Sequence, residues 1–246
     1  MKKTNYSYVG IALVVLVFGI IFIPKIIDRI TNDDIIRKES RSDQTKEKAN
    51  VSDLAFLEIN GTPKKVPAFS FTNQNGEIIT NKDYEGKVYV IEFFFTTCPT
   101  ICPRMSRNLV QIQNSFKDFE DFGVASFTIN PENDKPEVLK KYAEKYGITN
   151  SNWHLMTGDI DLIYELANTG FNLYTSQDKE VEGGFEHSGN FALIDKNGLI
   201  RSRMTESGNL LIYYNGIISE EEKISDEGYK EEISILKEDI KKLLDE

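Results

Sequence analysis

The stretch Val88–Phe119, VYVIEFFFTTCPTICPRMSRNLVQIQNSFKDF, constrains the fold more than any other part of the chain. Val88 to Phe95 is an apolar run of strand length, rich in β-branched and aromatic side chains. It empties into a short turn carrying Cys98 and Cys102, the two cysteines of the protein. Apolar residues then recur at helical spacing, at Met105, Leu109, Ile112, Phe116 and Phe119. A buried strand therefore hands over to an amphipathic helix at the cysteines. Pro99 and Pro103 stiffen that handover, because each fixes φ and removes a donor. A helix starting near Cys98 would put both thiols on one side of its first turn, where free amide donors favour thiolate over thiol. Pro103 biases Cys102 away from α geometry and argues for a later start.

Two thiols about one turn apart can interconvert with a disulfide or hold a soft metal. Pro99, Thr100 and Ile101 separate them, one residue more than in a thioredoxin-type redox turn. The plain alternative is a stapling bridge or two inert core thiols, but a bridge closing so short a loop constrains little unfolded-state entropy. Two thiolates leave a metal under-coordinated, so a third ligand is wanted. The sequence offers two histidines. His154 lies in a short apolar strand after Trp153 and reads as a partly buried or surface residue. His187 lies in GGFEHSGNF, just before a strand that can reach the same sheet end as the cysteine turn. Glu186 and Ser188 are candidates to orient its ring. Two sulfurs and an imidazole form a copper set, since thiolates suit Cu(I) and imidazole accommodates Cu(II). The same set holds zinc with a water, although no general base of the usual zinc-hydrolase kind is visible.

The remaining pattern supplies a sheet around this strand. Phe69 and Phe71 alternate into the turn Asn73–Gly76, and Glu77–Thr80 returns. Val124–Ile129 is a second buried strand. In the loop NPENDKP, Asp134 with Glu137 fits a capping box and Pro136 a first helical turn. The helix that follows buries Val138, Leu139, Tyr142, Ala143 and Tyr146 and stops at Gly147. Trp153–Met156 is a short strand. A helix capped by Asp159 runs to Asn168 and closes at Gly170. Asn172–Phe185 reads as an exposed loop or loose hairpin. Phe191–Ile194 and Leu199–Met204 flank an Asn197-Gly198 turn. Ile233, Leu236, Ile240, Leu243 and Leu244 share one face of a final helix. The order is that of an α/β mixed sheet with flanking helices. A strand leading to paired cysteines at a helix start suggests a thioredoxin-like layout. Phe93, Phe94, Phe95 and Met105 read as core, and Arg104 and Arg107 as either a positive field near the thiols or a solvated face.

Lys2 and Lys3 precede an uncharged stretch from Thr4 to Pro24, followed by Ile26 and Ile27. This reads as an uncleaved transmembrane anchor over 1–27, with the lysines inside and the rest translocated. A cleaved signal is the alternative. Residues 28–60 read as a polar tether and entry segment, and 61–246 as the folded domain with an acidic C-terminal helix. Either way the domain lies outside the cytoplasm, in a compartment that permits disulfides. The formal net charge of −10 argues against a nucleic-acid partner, which needs a basic footprint.

FFFTTCPTICPRM, TINPENDKPEVLKKYAEKYG and FEHSGNFALIDKNGLI occur in an order and spacing that resembles the SCO/SenC family of membrane-tethered copper chaperones. The resemblance spans roughly Val66 to Met204 and the N-terminal anchor. It implies a thioredoxin-like fold, copper held by Cys98, Cys102 and His187, and a role in assembling the binuclear copper centre of cytochrome c oxidase. The implied partners are a copper-accepting oxidase subunit, a thiol reductant or copper donor, and the lipid bilayer. The implied location is the bacterial inner membrane, with the domain on the periplasmic side. Some members are held to act mainly as thiol–disulfide reductases, which makes Cys98 and Cys102 a redox pair and copper dispensable. Asn130 and Glu186 stand where the family usually has Asp. The resemblance assigns no role to the long 172–185 loop or to the acidic tail beyond Gly216.

Overall fold

Strand β6 (Val88–Phe94) is buried along its whole length and lies inside the sheet. From edge to edge the sheet runs β1 (Leu54–Phe56), β12 (Ile200–Met204), β11 (Asn190–Ile194), β6, β7 (Phe122–Thr128), β8 (Trp153–Thr157), β4 (Ser70–Asn73) and β5 (Ile78–Thr80). Two short strands pair off this path, β13 (Leu210–Leu211) with β12 and β14 (Tyr214–Asn215) with β11. β6, β7 and β8 are mutually parallel, whereas β11 meets β6 antiparallel. Interior parallel strands are covered on both faces, which is why β6 and β7 read as continuous apolar runs. Phe94 meets the Tyr142 ring of one layer at 5.3 Å, and Phe93 meets Phe171 of the other at 6.1 Å.

This computed structural model describes residues 16–19, 22–23 and 54–246, apart from 178–179, 181–182, 206–208 and 227. The chain divides into two units, Met1–Ala49 and Asn50–Glu246. In the first, residues 16–19 and 22–23 are helical, and the Phe18 and Phe22 rings stack at 4.0 Å. No described helix is long and apolar enough to cross a membrane. The rest of the anchor expected over 1–27, and the tether as far as residue 53, lie outside the described residues.

Four helices flank the sheet: α1 (Cys102–Ser115), α2 (Pro136–Tyr146), α3 (Ile160–Glu165) and α4 (Ile233–Asp245). α1 starts at Cys102, ahead of the position that Pro103 argued for, because proline fits a first helical turn where its missing N–H has no partner to lose. Cys98 therefore stays in the turn outside the helix. The stripe Met105, Leu109 and Ile112 is fully buried. α4 packs on α1 and β6 and buries Ile233, Leu236, Ile240, Leu243 and Leu244, each contributing roughly 2 kcal/mol. Its buried Asp239 accepts from Nε of Arg203 and from the Tyr214 hydroxyl, tying α4 to β12 and β14.

Two local expectations are corrected, and of the two forms open for 172–185 the hairpin is found. Lys135, without a side-chain cap, occupies the N-cap of α2, and Asp134 is turned away towards Thr96 and Thr128. α3 is capped by Asp159 as expected, but it passes into a π-turn over Leu166–Phe171. Asn172, at φ 54°, ends that turn in place of Gly170. The stretch before His187 is a hairpin of β9 (Thr175–Gln177) and β10 (Phe185–His187), with Thr175 buried opposite His187. β2 (Glu58–Ile59) and β3 (Thr62–Pro63) form a separate small hairpin.

Candidate metal centre

The turn after β6 and the β9–β10 hairpin meet at one end of the sheet. The Cys98 amide donates to the Phe95 carbonyl at 3.2 Å, which closes the turn. The Phe95 ring packs edge-on against the His187 imidazole at 5.8 Å and against Phe185 at 5.2 Å. Gly183, at φ +93°, lies so close that a Cβ there would stand 3.0 Å from Pro99 and 3.1 Å from Phe95. Its backbone can approach only because it lacks a side chain. Strand alternation turns His187 inward and leaves Glu186 exposed, so Glu186 does not orient the ring. The backbone takes that role: Nδ1–H of His187 donates to the Ser188 carbonyl at 3.1 Å. This orients the ring so that Nε2 faces the sulfurs.

Nε2 lies 3.1 Å from Sγ of Cys102, and the Cys102 amide donates to Sγ of Cys98 at 3.5 Å. The two sulfurs and a His187 ring nitrogen all lie within 4.8 Å of one another. Metal bonds of roughly 2.0–2.3 Å let one ion bridge atoms about 4 Å apart, so this donor set suits a single soft ion after a small contraction. Both cysteines are free thiols. Relative exposures of 7% for Cys98, 1% for Cys102 and 9% for His187 put the cluster just under the surface, with Cys98 the outer sulfur. His154 is half-buried beside Asn73 and Tyr84, apart from this cluster.

The two sulfurs titrate in opposite directions. The hydrogen bond from Cys102 pulls the Cys98 thiol well below the ordinary thiol range, helped by His187 and by backbone amides. Burial first, then the negative charge on Cys98, pushes Cys102 far above it. One proton therefore serves the pair and sits on Cys102, leaving Cys98 as the thiolate. Arg104 does not add to that field, since both oxygens of Glu222 hold its guanidinium at the surface.

Glu92 is a residue that the pattern reading passed over. It lies fully buried in β6, its Oε1 accepting from the Ser126 hydroxyl at 2.7 Å. Ser126 in turn accepts from the Trp153 indole at 2.9 Å. Oε2 of Glu92 has no hydrogen-bond partner among the described residues, and burial raises this carboxyl to about 7. The signal was present in the sequence as the one acid inside the run VYVIEFFF.

The SCO1/SenC family model matches residues 58–217, which include the cysteine turn and the histidine hairpin. The chain belongs to the SCO1/SenC family. It is 34% identical over 138 residues to the SCO1 protein homolog of Bacillus subtilis, covering 55% of this chain and 71% of that protein. Against an SCO2-like protein of Rickettsia typhi it is 34% identical over 139 residues, spanning 53% of this chain and 65% of the relative. Among solved structures, an SCO1/SenC family lipoprotein from Bacillus anthracis aligns with a TM-score of 0.61 at 30% identity, over 77% of this chain and 99% of that one. BsSco, described as a member of the Sco family of cytochrome c oxidase assembly proteins, aligns at 0.57 with 28% identity, over 74% and 95%. Bradyrhizobium japonicum ScoI, solved with copper bound, shares the fold at 20% identity and a TM-score of 0.51, over 73% of this chain and 99% of that one. The mixed α/β arrangement is thus the thioredoxin-like fold of SCO proteins. The family match stops at residue 217, so the acidic segment and α4 lie beyond it.

Proposed function

We propose that this SCO protein binds copper through Cys98, Cys102 and His187 and serves the assembly of cytochrome c oxidase. It would deliver the ion to a copper-accepting oxidase subunit or prepare that subunit's cysteines. The observation that carries this reading is the approach of the His187 ring to both cysteine sulfurs, from a hairpin far away in sequence. A protein that only exchanges disulfides has no use for an imidazole there. Two thiolates and an imidazole oriented by the Ser188 carbonyl make a soft donor set that accepts Cu(I) and tolerates Cu(II). BsSco, of the same family, is described as belonging to oxidase assembly proteins, which supports the acceptor. Copper is cargo here. Delivery to an acceptor's thiols needs a donor site near the surface, and Cys98 is the sulfur placed for it. Loading requires the reduced pair, because an S–S bond removes both thiolate ligands. We place the domain outside the cytoplasm, held to the bilayer by the apolar stretch that follows Lys2 and Lys3.

The test is His187→Ala in the reduced protein, titrated anaerobically with copper and followed by X-ray absorption. The wild type is expected to bind one ion with two sulfurs and one nitrogen. The variant is expected to lose the nitrogen and roughly tenfold or more in affinity. Unchanged affinity in a folded variant would remove His187 from the site. Disulfide exchange that survives without copper binding in the wild type would leave the thiol–disulfide reductase as the function.

A further inference from the structure

The Asp134 side chain is fully buried and all its acceptor sites are engaged. Oδ2 accepts from the Thr96 amide at 3.0 Å and from the Thr128 hydroxyl at 2.5 Å. Oδ1 accepts from the Thr96 hydroxyl and from the Asn133 side-chain amide. The Asn133 amide also reaches the Thr96 hydroxyl, at 3.3 Å. None of these bonds caps α2, whose N-cap is the next residue, Lys135. The carboxyl group instead joins the end of β7 to Thr96, the residue two before Cys98. Thr96 is held at both its amide and its hydroxyl, so the turn is fastened just where it begins to swing Cys98 away from β6.

We propose that Asp134 is the positioning residue of the metal centre: it pins the cysteine turn to the β7–α2 loop and keeps the two sulfurs apart in the reduced, metal-ready spacing. Disulfide formation needs the sulfurs about 2 Å apart, while here they are unbonded and share a cluster with His187. A pinned turn resists that closure. Releasing it lets Cys98 move towards Cys102, which favours the bridge over the open site. The reaction that reads this out is an exchange with glutathione disulfide. The Cys98 thiolate and the Cys102 thiol give up two electrons to form one S–S bond, and the glutathione S–S bond breaks to give two glutathione thiols, which take one proton from Cys102 and one from water. The copper arm of the proposal rests on the function proposed above, whereas the glutathione arm does not.

The experiment compares Asp134→Asn, Thr96→Val, Thr96→Ser, Thr128→Val and Asp239→Ala in the full chain. Cu(I) affinity is read by competition with a chromophoric chelator, and the thiol–disulfide equilibrium by titration with glutathione buffers. Asp134→Asn sets an amide N–H against donors. It is expected to weaken Cu(I) binding roughly tenfold and to shift the equilibrium about fivefold towards the disulfide. Thr96→Val, which keeps volume but loses the hydroxyl, is expected to move both in the same direction, and Thr96→Ser neither. Thr128→Val removes a bond to the same carboxyl from the strand side. It is expected to shift both readouts in the same direction by a smaller amount, whereas Asp239→Ala, which loosens α4 away from the turn, is expected to lower thermal stability and leave both readouts unchanged, separating positioning from support of the fold. If Asp134→Asn does not fold, the Thr96 pair decides. Wild-type values in both Asp134→Asn and Thr96→Val overturn the proposal, as do equal shifts in Thr96→Val and Asp239→Ala. A wild type that takes up no copper refutes the copper reading alone, and the glutathione equilibrium still decides the role of Asp134.

Discussion

Replacing Glu92 with glutamine should change how stability depends on pH, by an amount that its surroundings set. Glu92 is fully buried with a single donor, Ser126, and an unpartnered second oxygen. Burial raises the carboxyl from an ordinary 4.5 to about 7. At about 1.4 kcal/mol per pH unit, that gap amounts to roughly 3 kcal/mol. The folded protein binds this proton more tightly than the unfolded chain does. The stabilisation is therefore complete below about 4.5 and is lost as pH rises through about 7. In Glu92→Gln the side chain would keep an oxygen for Ser126 and carry no charge at any pH. Its stranded N–H₂ costs about 1–3 kcal/mol, but that penalty is the same at every pH. Urea unfolding of reduced wild type and Glu92→Gln at acid and alkaline pH gives the difference directly, and contributions from Cys98 and His154 cancel in it. The variant should gain roughly 3 kcal/mol on the wild type between pH values well below and well above the Glu92 range. A difference constant to within about 0.5 kcal/mol would mean that Glu92 finds a counter-charge or water in solution, and the reasoning from burial would fail.

Two further outcomes follow from the same geometry. At mildly acid pH, iodoacetamide should label Cys98 and leave Cys102 untouched, as read by peptide mapping, because the shared proton sits on Cys102; equal labelling would contradict that assignment. Asp239→Ala should lower unfolding stability by roughly 2 kcal/mol, measured by chemical denaturation, because it leaves the Tyr214 hydroxyl without its partner and Arg203 with Glu238 alone. A loss below about 1 kcal/mol would show that these groups reach solvent instead.

The parts legible in the sequence were those with short-range signals. β6 and α1 showed as a β-rich apolar run followed by helical spacing. The β11–β12 hairpin showed through Asn197-Gly198, where Gly198 adopts φ +75°. The cysteine turn and His187 could be paired only through topology, because β11, which follows the histidine, lies beside β6, which precedes the cysteines. What was misread depended on partners distant in the chain. Asp134 and Glu137 have the spacing of a capping box, but the donors that claim Asp134 come from Thr96 and Thr128, on two other strands' ends. The π-turn over Leu166–Phe171 leaves no mark in apolar periodicity. Its Asn168 instead bonds Thr175 at both the backbone and the side chain. Glu186 looked like the natural support for the imidazole, yet alternation along β10 pointed it outward and left that task to a peptide carbonyl.

The separation of Cys98 and Cys102 from His187 along the chain also has a bearing on how a newly made molecule matures. Cys98 and Cys102 lie on the stretch that emerges first from a ribosome or translocation pore, and His187, with the strand that flanks β6, emerges much later. During that interval the thiols have neither the imidazole nor the covering hairpin that encloses them in the finished protein. They are open to any oxidant they meet, so the state in which the site is completed is decided partly by how quickly the second half of the chain arrives.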